Sequence, residues 1–331
     1  MTEHFRALVV DKDGDGVAVR CGEMQRSDLM PGEVTIRVSH SSINFKDGLA
    51  ARVDGRVARR YPLVLGIDLA GVVESSDDPS FTPGQAVLAH GYDIGVAHHG
   101  GLAELARLPA RWVVPMPAGL TARQAMIVGT AGFTAALSVE RLEHLGLRPG
   151  TGPVVVTGAS GGVGSTAVAI LAARGYEVVA STGSTHAHEM LRTLGAAEIV
   201  DRSTLNQPSK RPLESARWAG AVDPVGGDTL AYLLQTMKPF GSAAVSGLTG
   251  GHTLNTTVMP FILRGVNVLG INSADLDMGH RVQIWNRVAT DLRPAKLEES
   301  IAREISLDEA PAALEQIYRG ELVGRTVVRI S

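Results

Sequence analysis

Val154-Val155-Val156-Thr157-Gly158-Ala159-Ser160-Gly161-Gly162-Val163-Gly164 leads straight into Ser165-Thr166-Ala167-Val168-Ala169-Ile170-Leu171. β-Branched residues run into a glycine-rich turn, and the turn opens into an Ala-, Val- and Leu-rich segment without a breaker, so the stretch reads as strand, turn and helix. Ala159, Gly161 and Gly164 occupy the three places of the G-x-G-x-x-G spacing, with alanine at the first. The spacing has a mechanical purpose: a tight turn, a backbone without Cβ where a pyrophosphate lies, and close packing of helix on sheet. The helix N-terminus adds N–H groups and a favourable dipole toward the phosphates. A glycine string alone describes any tight turn; here the flanking elements favour a dinucleotide.

Working outward, strands are expected at 154–157, 177–181 and 198–201, with helices at 164–174 and 186–194 between them, and further apolar segments at 220–225, 242–246 and 267–271. Such alternation implies an α/β, doubly wound parallel sheet of the Rossmann type. The first 120 residues differ. Short β-like runs at 6–10, 33–39, 71–74, 86–89 and 111–114, separated by turn residues, read as a partly closed antiparallel sheet. Thr121 is placed as an N-cap for a helix over 122–128, and a second helix is expected over 132–144. Helices near 281–292 and 307–320 precede a last strand, 325–330, which has to return to the N-terminal sheet. The expected domains are therefore 1–125 with 295–331, and 126–294.

The 331 residues are 44% hydrophobic and 20% charged, with a formal charge of −3, which suits about two globular domains. Without like-charge runs, and with only 4% aromatic residues, a nucleic-acid partner is not expected. The N-terminus resembles neither a signal nor a transit peptide, and no apolar stretch approaches the roughly 20 residues that span a bilayer, so a soluble, cytoplasmic protein is expected. The single cysteine, Cys21, excludes an internal disulfide and a cysteine-rich metal site. His90, His98 and His99 invite a metal, but without cysteine partners or an H-E-x-x-H they read as loop residues, and no metal is expected.

Cofactor preference is decided at the end of the second strand, where NAD enzymes place a carboxylate for the ribose hydroxyls. This chain reads Ala180-Ser181-Thr182-Gly183-Ser184 there. Nothing repels a 2′-phosphate, the hydroxyls of Ser181, Thr182 and Ser184 can donate to it, and Arg202 either supplies charge or is simply solvated. NADPH is expected over NADH.

Several motifs together resemble the medium-chain dehydrogenase/reductase superfamily: Asn44-Phe45-Lys46-Asp47-Gly48, Gly66-Ile67-Asp68-Leu69-Ala70-Gly71, Gly129-Thr130-Ala131-Gly132, the glycine turn, and Asp223-Pro224-Val225-Gly226-Gly227. The match runs nearly end to end. Thr257 to Gly265 and Gly324-Arg325-Thr326-Val327-Val328 are similar to the acryloyl-CoA reductase branch, often labelled quinone oxidoreductase. The resemblance implies a GroES-like, mainly β catalytic domain beside the Rossmann domain. It also implies NADPH-dependent reduction of acryloyl-CoA to propanoyl-CoA, by hydride transfer to the β-carbon. Zinc-dependent members carry Gly-His-Glu where this chain has Gly66-Ile67-Asp68, so the branch is expected to work without metal.

By the same resemblance, Thr130 lies near the nicotinamide, Ser160, Gly161, Gly162, Val163, Gly164 and Ser165 hold the pyrophosphate, Ser181, Thr182, Gly183 and Ser184 face the adenosine phosphate, and Leu248 and Ile271 close over the cofactor. Relatives often have arginine at Ser184, which shifts weight to Arg202. They place tyrosine at Phe45, which here can only pack against cofactor or substrate. Asn44, Lys46 and Asp47, or bound water, are the remaining candidates for proton delivery, with loop-shaping as their other reading. Arg52, Arg56, Arg59 and Arg60 form an arginine-rich loop suited to CoA phosphates, or merely solvated. Quinone or small-enone reduction uses the same turn without a CoA site, and a non-catalytic dinucleotide-binding protein would use it without turnover. Relatives pair through the strand near 266–271, so a homodimer is expected.

Overall fold

The computed structural model describes residues 3–207 and 210–331. The chain divides into two units, Met1–Thr130 with Ala274–Ala289 and Ile301–Ser331, and Ala131–Ser273 with Thr290–Ser300.

The first unit begins with β1 (His4–Asp13), β2 (Gly16–Gln25), β3 (Val34–Ser42), α1 (Phe45–Ala50), β4 (Leu63–Val64), β5 (Asp68–Ser76), β6 (Ala86–His90), β7 (Leu105–Leu108) and β8 (Val113–Pro115). β1 and β2 form a hairpin closed by the Asp13–Gly16 pair, and the turn uses Gly14 at φ +56°. β4 lies on the other side of β1. Strands β3, β5, β6 and β8 follow one another in a larger antiparallel sheet, and β7 pairs with β3. Inward residues of these strands, Val34, Ile36, Val38, Leu69, Val87 and Leu108, close one core. Each such side chain contributes on the order of 1.5–3 kcal/mol by leaving water.

α2 (Ala122–His144) starts on the reciprocal Thr121–Gln124 bonds expected of a capping threonine, 3.1 Å each way. Gly129, at φ 51° and ψ −161°, breaks it between the two helices read from the sequence.

The second unit contains β9 (Val154–Val156), α3 (Gly162–Ala173), β10 (Val178–Thr182), α4 (His188–Thr193), β11 (Glu198–Asp201), β12 (Trp218–Asp223), α5 (Gly227–Thr236), β13 (Met237–Val245), α6 (Met259–Arg264) and β14 (Asn267–Gly270). All five strand pairs are parallel, in the order β11-β10-β9-β12-β13-β14. Strand order therefore reverses between β9 and β12, and in such sheets ligands bind outside the carboxyl ends at that point. α3 buries eight consecutive residues, Gly164 through Leu171, as its apolar sequence requires.

α7 (Met278–Val288), β15 (Ile301–Ser306), α8 (Ala310–Tyr318) and β16 (Arg325–Arg329) complete the chain. β16 runs antiparallel to β3, the return expected of the last strand, and β15 joins it in parallel. Leu307, Leu314 and Val328 share a core with Leu8, Leu63 and Leu65 of the N-terminal segment. Ala274–Ala289 belongs to the first unit, whereas the expected division put it in the second. The reason is side-chain chemistry: Trp285 donates its indole N–H to His90 Nε2 (2.9 Å), and Arg281 donates to the His90 carbonyl (2.9 Å) and to Ala274 O (2.9 Å).

Candidate functional site

In the second unit the glycine turn has the expected form. Gly158 takes φ +52°, and Gly161 caps α3 while donating to Gly158 O (3.0 Å). A Cβ on Gly164 would fall 2.6 Å from Ala159 Cα, so this glycine is required for close packing. A Cβ on Gly161 would meet only Gly158 O at 3.5 Å, so the space beside it is open. Ser165 is buried and turned back toward Gly162 O (3.5 Å), which leaves the backbone of Gly162 and Val163 as the leading edge of the helix.

Thr182 ties the second strand to this turn. Its hydroxyl donates to Ser160 Oγ (3.0 Å) and accepts the Ser184 N–H (3.0 Å). Ser181 is buried, and its carbonyl accepts the Ala159 N–H (3.0 Å). Gly183 and Arg202 meet: a Cβ on Gly183 would lie 2.7 Å from Arg202 Nε and 2.9 Å from its Cδ. The exposed guanidinium is thus laid over the loop that faces an adenosine phosphate in the expected arrangement. Leu248 is 62% exposed, on the loop after β13, while Ile271 is buried beyond β14 and donates to Val245 O (3.0 Å).

The first unit holds a buried polar cluster that sequence reasoning found only in part. Asn44 caps α1; its Nδ2 donates to Asp68 Oδ2 (2.9 Å), and its Oδ1 accepts from Arg325 Nη1 (3.1 Å). Asp68 also accepts from Ser42 N–H (3.0 Å), the Ser42 hydroxyl and Thr130 N–H (3.0 Å). Arg325 reaches Ser42 Oγ (2.6 Å) and Ile127 O (2.8 Å). A Cβ on Gly129 would collide with Arg325 Nη2 and lie 2.8 Å from both Asp68 Oδ2 and Ser42 Oγ. Asp47, fully buried, accepts from Asn44 N–H and Ile67 N–H, each at 2.9 Å. Burial, then the neighbouring Asp68, pushes its carboxyl up to about 7. Lys46 and Phe45 stand exposed on the outer side of α1. The signals for the missed members, Ser42, Asp68 and Arg325, are an aspartate and an arginine inside otherwise apolar strands, because a buried charge needs a partner.

The four arginines go to different neighbours. Arg52 pairs with Asp54 (3.1 Å) and Glu315 (3.4 Å) and covers the Tyr318 ring; Arg59 pairs with Asp93 (3.3 Å); Arg60 rests against Met30; Arg56 is exposed at φ 53°. His98 and His99 lie in a loop, as expected, whereas His90 ends β6, and all three are buried. His98 packs edge-on to Trp112 with Nε2 near Pro31 O (3.1 Å), and His99 Nδ1 accepts Val64 N–H (3.1 Å). Burial first, then His98, lowers His99 to about 4. His90, buried beside Arg281, is held well below its ordinary value.

Residues 30–118 match the family model described as alcohol dehydrogenase GroES-like domain, and residues 162–287 that of zinc-binding dehydrogenase. The chain is 50% identical over 329 residues, 99% of each protein, to an acrylyl-CoA reductase AcuI of Ruegeria pomeroyi. It is 48% identical over 330 residues, 100% of each, to a putative quinone oxidoreductase YhfP of Bacillus subtilis. The chain belongs to the medium-chain dehydrogenase/reductase superfamily. Its branch is that of the AcuI- and YhfP-type proteins. The B. subtilis yhfP structure with NAD bound superposes at TM-score 0.97, with 48% identity over 99% of this chain and 100% of that one. The Salmonella enterica yhdH oxidoreductase in complex with NADP superposes at 0.95, with 45% identity over 98% and 100%.

The zinc named in the matched family model has no fitting donor set here. Among the described residues no three His, Cys, Asp or Glu side chains converge, the one cysteine points its thiol at Leu307 O, and Asp68 is filled by the donors of Ser42, Asn44 and Thr130.

Proposed function

We propose that this superfamily member is an NADPH-dependent reductase of the carbon–carbon double bond of acryloyl-CoA, giving propanoyl-CoA. The observation that carries the cofactor half is the second unit's own geometry: an open glycine cradle at Gly161, a strand end without carboxylate, and Arg202 laid over Gly183. The 50% identity to an acrylyl-CoA reductase supports the substrate.

In this reading the backbone of Gly161, Gly162, Val163 and Gly164 receives the pyrophosphate at the head of α3, and Arg202 with Gly183 and Ser184 receives the 2′-phosphate. Bound NADPH supplies a hydride for the substrate β-carbon. As the thioester oxygen gains enolate charge, donors near it lower the barrier, and a proton then reaches the α-carbon. Asp47 is poorly suited to deliver that proton directly, since both its oxygens are engaged by backbone N–H groups inside the fold. Asn44 and Asp47 hold the first turn of α1, which presents Lys46 and Phe45, and the proton comes from Lys46 or from water. Thr130, whose N–H donates to Asp68, is the residue of the first unit that would meet the nicotinamide.

Quinone or enone reduction is the second reading, favoured by the 48% identity to YhfP and by the carboxylates already paired with Arg52 and Arg59. Following NADPH absorbance with acryloyl-CoA, crotonoyl-CoA and a benzoquinone in parallel separates the two. Turnover confined to the quinone would overturn the CoA reading. Replacing Arg202 with alanine should raise KM for NADPH about tenfold and leave that for NADH in place, the loss of one charged hydrogen bond.

We also read the protein as a cytoplasmic homodimer. No helix among the described residues is long and apolar enough to cross a membrane. β14 is an edge strand of its sheet, and Val268 on it, with Phe240, Val258, Ile262 and Leu263, is exposed. An uncovered apolar edge of this kind favours pairing with a second copy.

A further inference from the structure

Asp223 ends β12, at the point where the strand order of the second unit reverses, and it is fully buried. Its Oδ1 accepts the Thr157 hydroxyl and the Val225 N–H (3.1 Å), its Oδ2 accepts the Gly226 N–H (3.0 Å), and its carbonyl accepts the Ser246 N–H (3.0 Å). These partners come from three loops at the carboxyl ends of three neighbouring strands. Thr157 follows β9 and starts the glycine turn, Val225 and Gly226 follow β12, and Ser246 follows β13.

The loops also touch directly. A Cβ on Gly158 would lie 3.2 Å from Val225 Cγ2 and 3.4 Å from Pro224 Cγ, so residues 224–225 press on the glycine turn from one side. On the other side Gly250 donates to Val225 O (2.8 Å), and a Cβ on Gly247 would fall 2.8 Å from the Pro224 carbonyl carbon. Leu248 sits on that third loop.

We propose that Asp223 is a positioning residue for the dinucleotide: by accepting from Thr157 and from the Val225 and Gly226 amides, it sets the glycine turn against the loop that carries Leu248. The proposal rests on the dinucleotide reading given above. A cofactor bridging these loops binds tightly only if their spacing is fixed in advance, because ordering them on binding subtracts from affinity. The hydroxyl of Thr157 contributes here by holding Asp223 and need not reach the ligand.

The test uses the full chain and two substitutions at one position. Thr157→Val removes the donor and keeps the shape, whereas Thr157→Ser keeps the donor and removes a methyl. NADPH affinity is read by titrating nucleotide fluorescence, alongside kcat and the KM for acryloyl-CoA. The expected result is a Kd for NADPH raised about tenfold in T157V, the worth of one charge-assisted hydrogen bond. T157S should stay within about twofold of wild type, and the KM for acryloyl-CoA should not move in either. A folded T157V with wild-type Kd, or T157S as weak as T157V, would overturn the proposal. Should T157V not fold, Thr157→Cys, a weak donor of similar size, makes the same comparison. A wild type that binds no NADPH would instead overturn the cofactor reading, a result visible before any variant is compared.

Discussion

Replacing Gly129 with alanine tests whether the buried cluster of the first unit is as tightly built as its distances imply. Two costs add. The backbone at φ 51° and ψ −161° lies where only glycine is comfortable, which costs about 2 kcal/mol for any other residue. The new methyl also lands on Arg325 Nη2, so the guanidinium must leave its bonds to Ser42 Oγ (2.6 Å) and Asn44 Oδ1 (3.1 Å). Hydrogen bonds to a charged group are worth about 1.5–3 kcal/mol each, and part is recovered by relaxation, so roughly 3 kcal/mol is lost there. The total, about 5 kcal/mol, is a large share of a typical folding free energy of about 5–15 kcal/mol. Gly150→Ala is the control, since Gly150 has φ +85° but nothing within 4 Å of its Cβ, leaving only the backbone cost of about 1 kcal/mol. Urea titration followed by circular dichroism gives both midpoints. If G129A and G150A lose the same stability, the guanidinium is not confined as described and the argument fails.

Two of the shifted buried groups, Asp47 and His99, pull stability in opposite directions with pH. Asp47 titrates near 7 in the fold against 3.8 in the unfolded chain, so the folded state is favoured most below pH 3.8 and loses stability as pH rises toward 7; Asp47→Asn should flatten that slope in urea midpoints taken between pH 5 and 7.5. His99 is held neutral down to about 4 against 6.5 unfolded, so its environment favours the fold above pH 6.5 and withdraws about 3 kcal/mol as pH falls through 4. In His99→Gln, which keeps an acceptor for Val64 N–H, the acid midpoint should lose that dependence, and an unchanged acid profile would contradict it. For the edge strand, on the homodimer proposed above, Val268→Asp should shift light-scattering mass from dimer to monomer without unfolding the sheet.

Legibility followed sequence distance. The turn from Val154 to Gly164 declares itself because strand, turn and helix are consecutive, and the break at Gly129 was visible as a gap between two helical patterns. β2 escaped because its apolar face is short, Val17, Val19 and Cys21, only half-buried, and ends at Gly22. β15 escaped because its pairing with β16 is a long-range event. Asp68 and Arg325 were within quoted motifs, but their meaning lies in Ser42 and Asn44, brought to Arg325 across almost the whole chain. Thr157 and Asp223 likewise stood in separate motifs, and only the reversal of strand order makes them neighbours. The burial of His90, His98 and His99 was not legible because it depends on Trp112, Pro31 and Trp285, which are distant in sequence.

The pairing of Ser42 with Val327 also sets a timetable. During synthesis, residues 40–42 of β3 emerge well before their partner in β16, and every strand of the parallel sheet is complete before that partner is made. Closing so long a loop is slow. Until β16 is made, the nascent first unit therefore has an open edge at residues 40–42 and Asp68 lacks Arg325, whereas the dinucleotide-binding sheet can already have formed. Ribosome-stalled chains ending before residue 325 should consequently protect the second unit from protease and leave the first one susceptible.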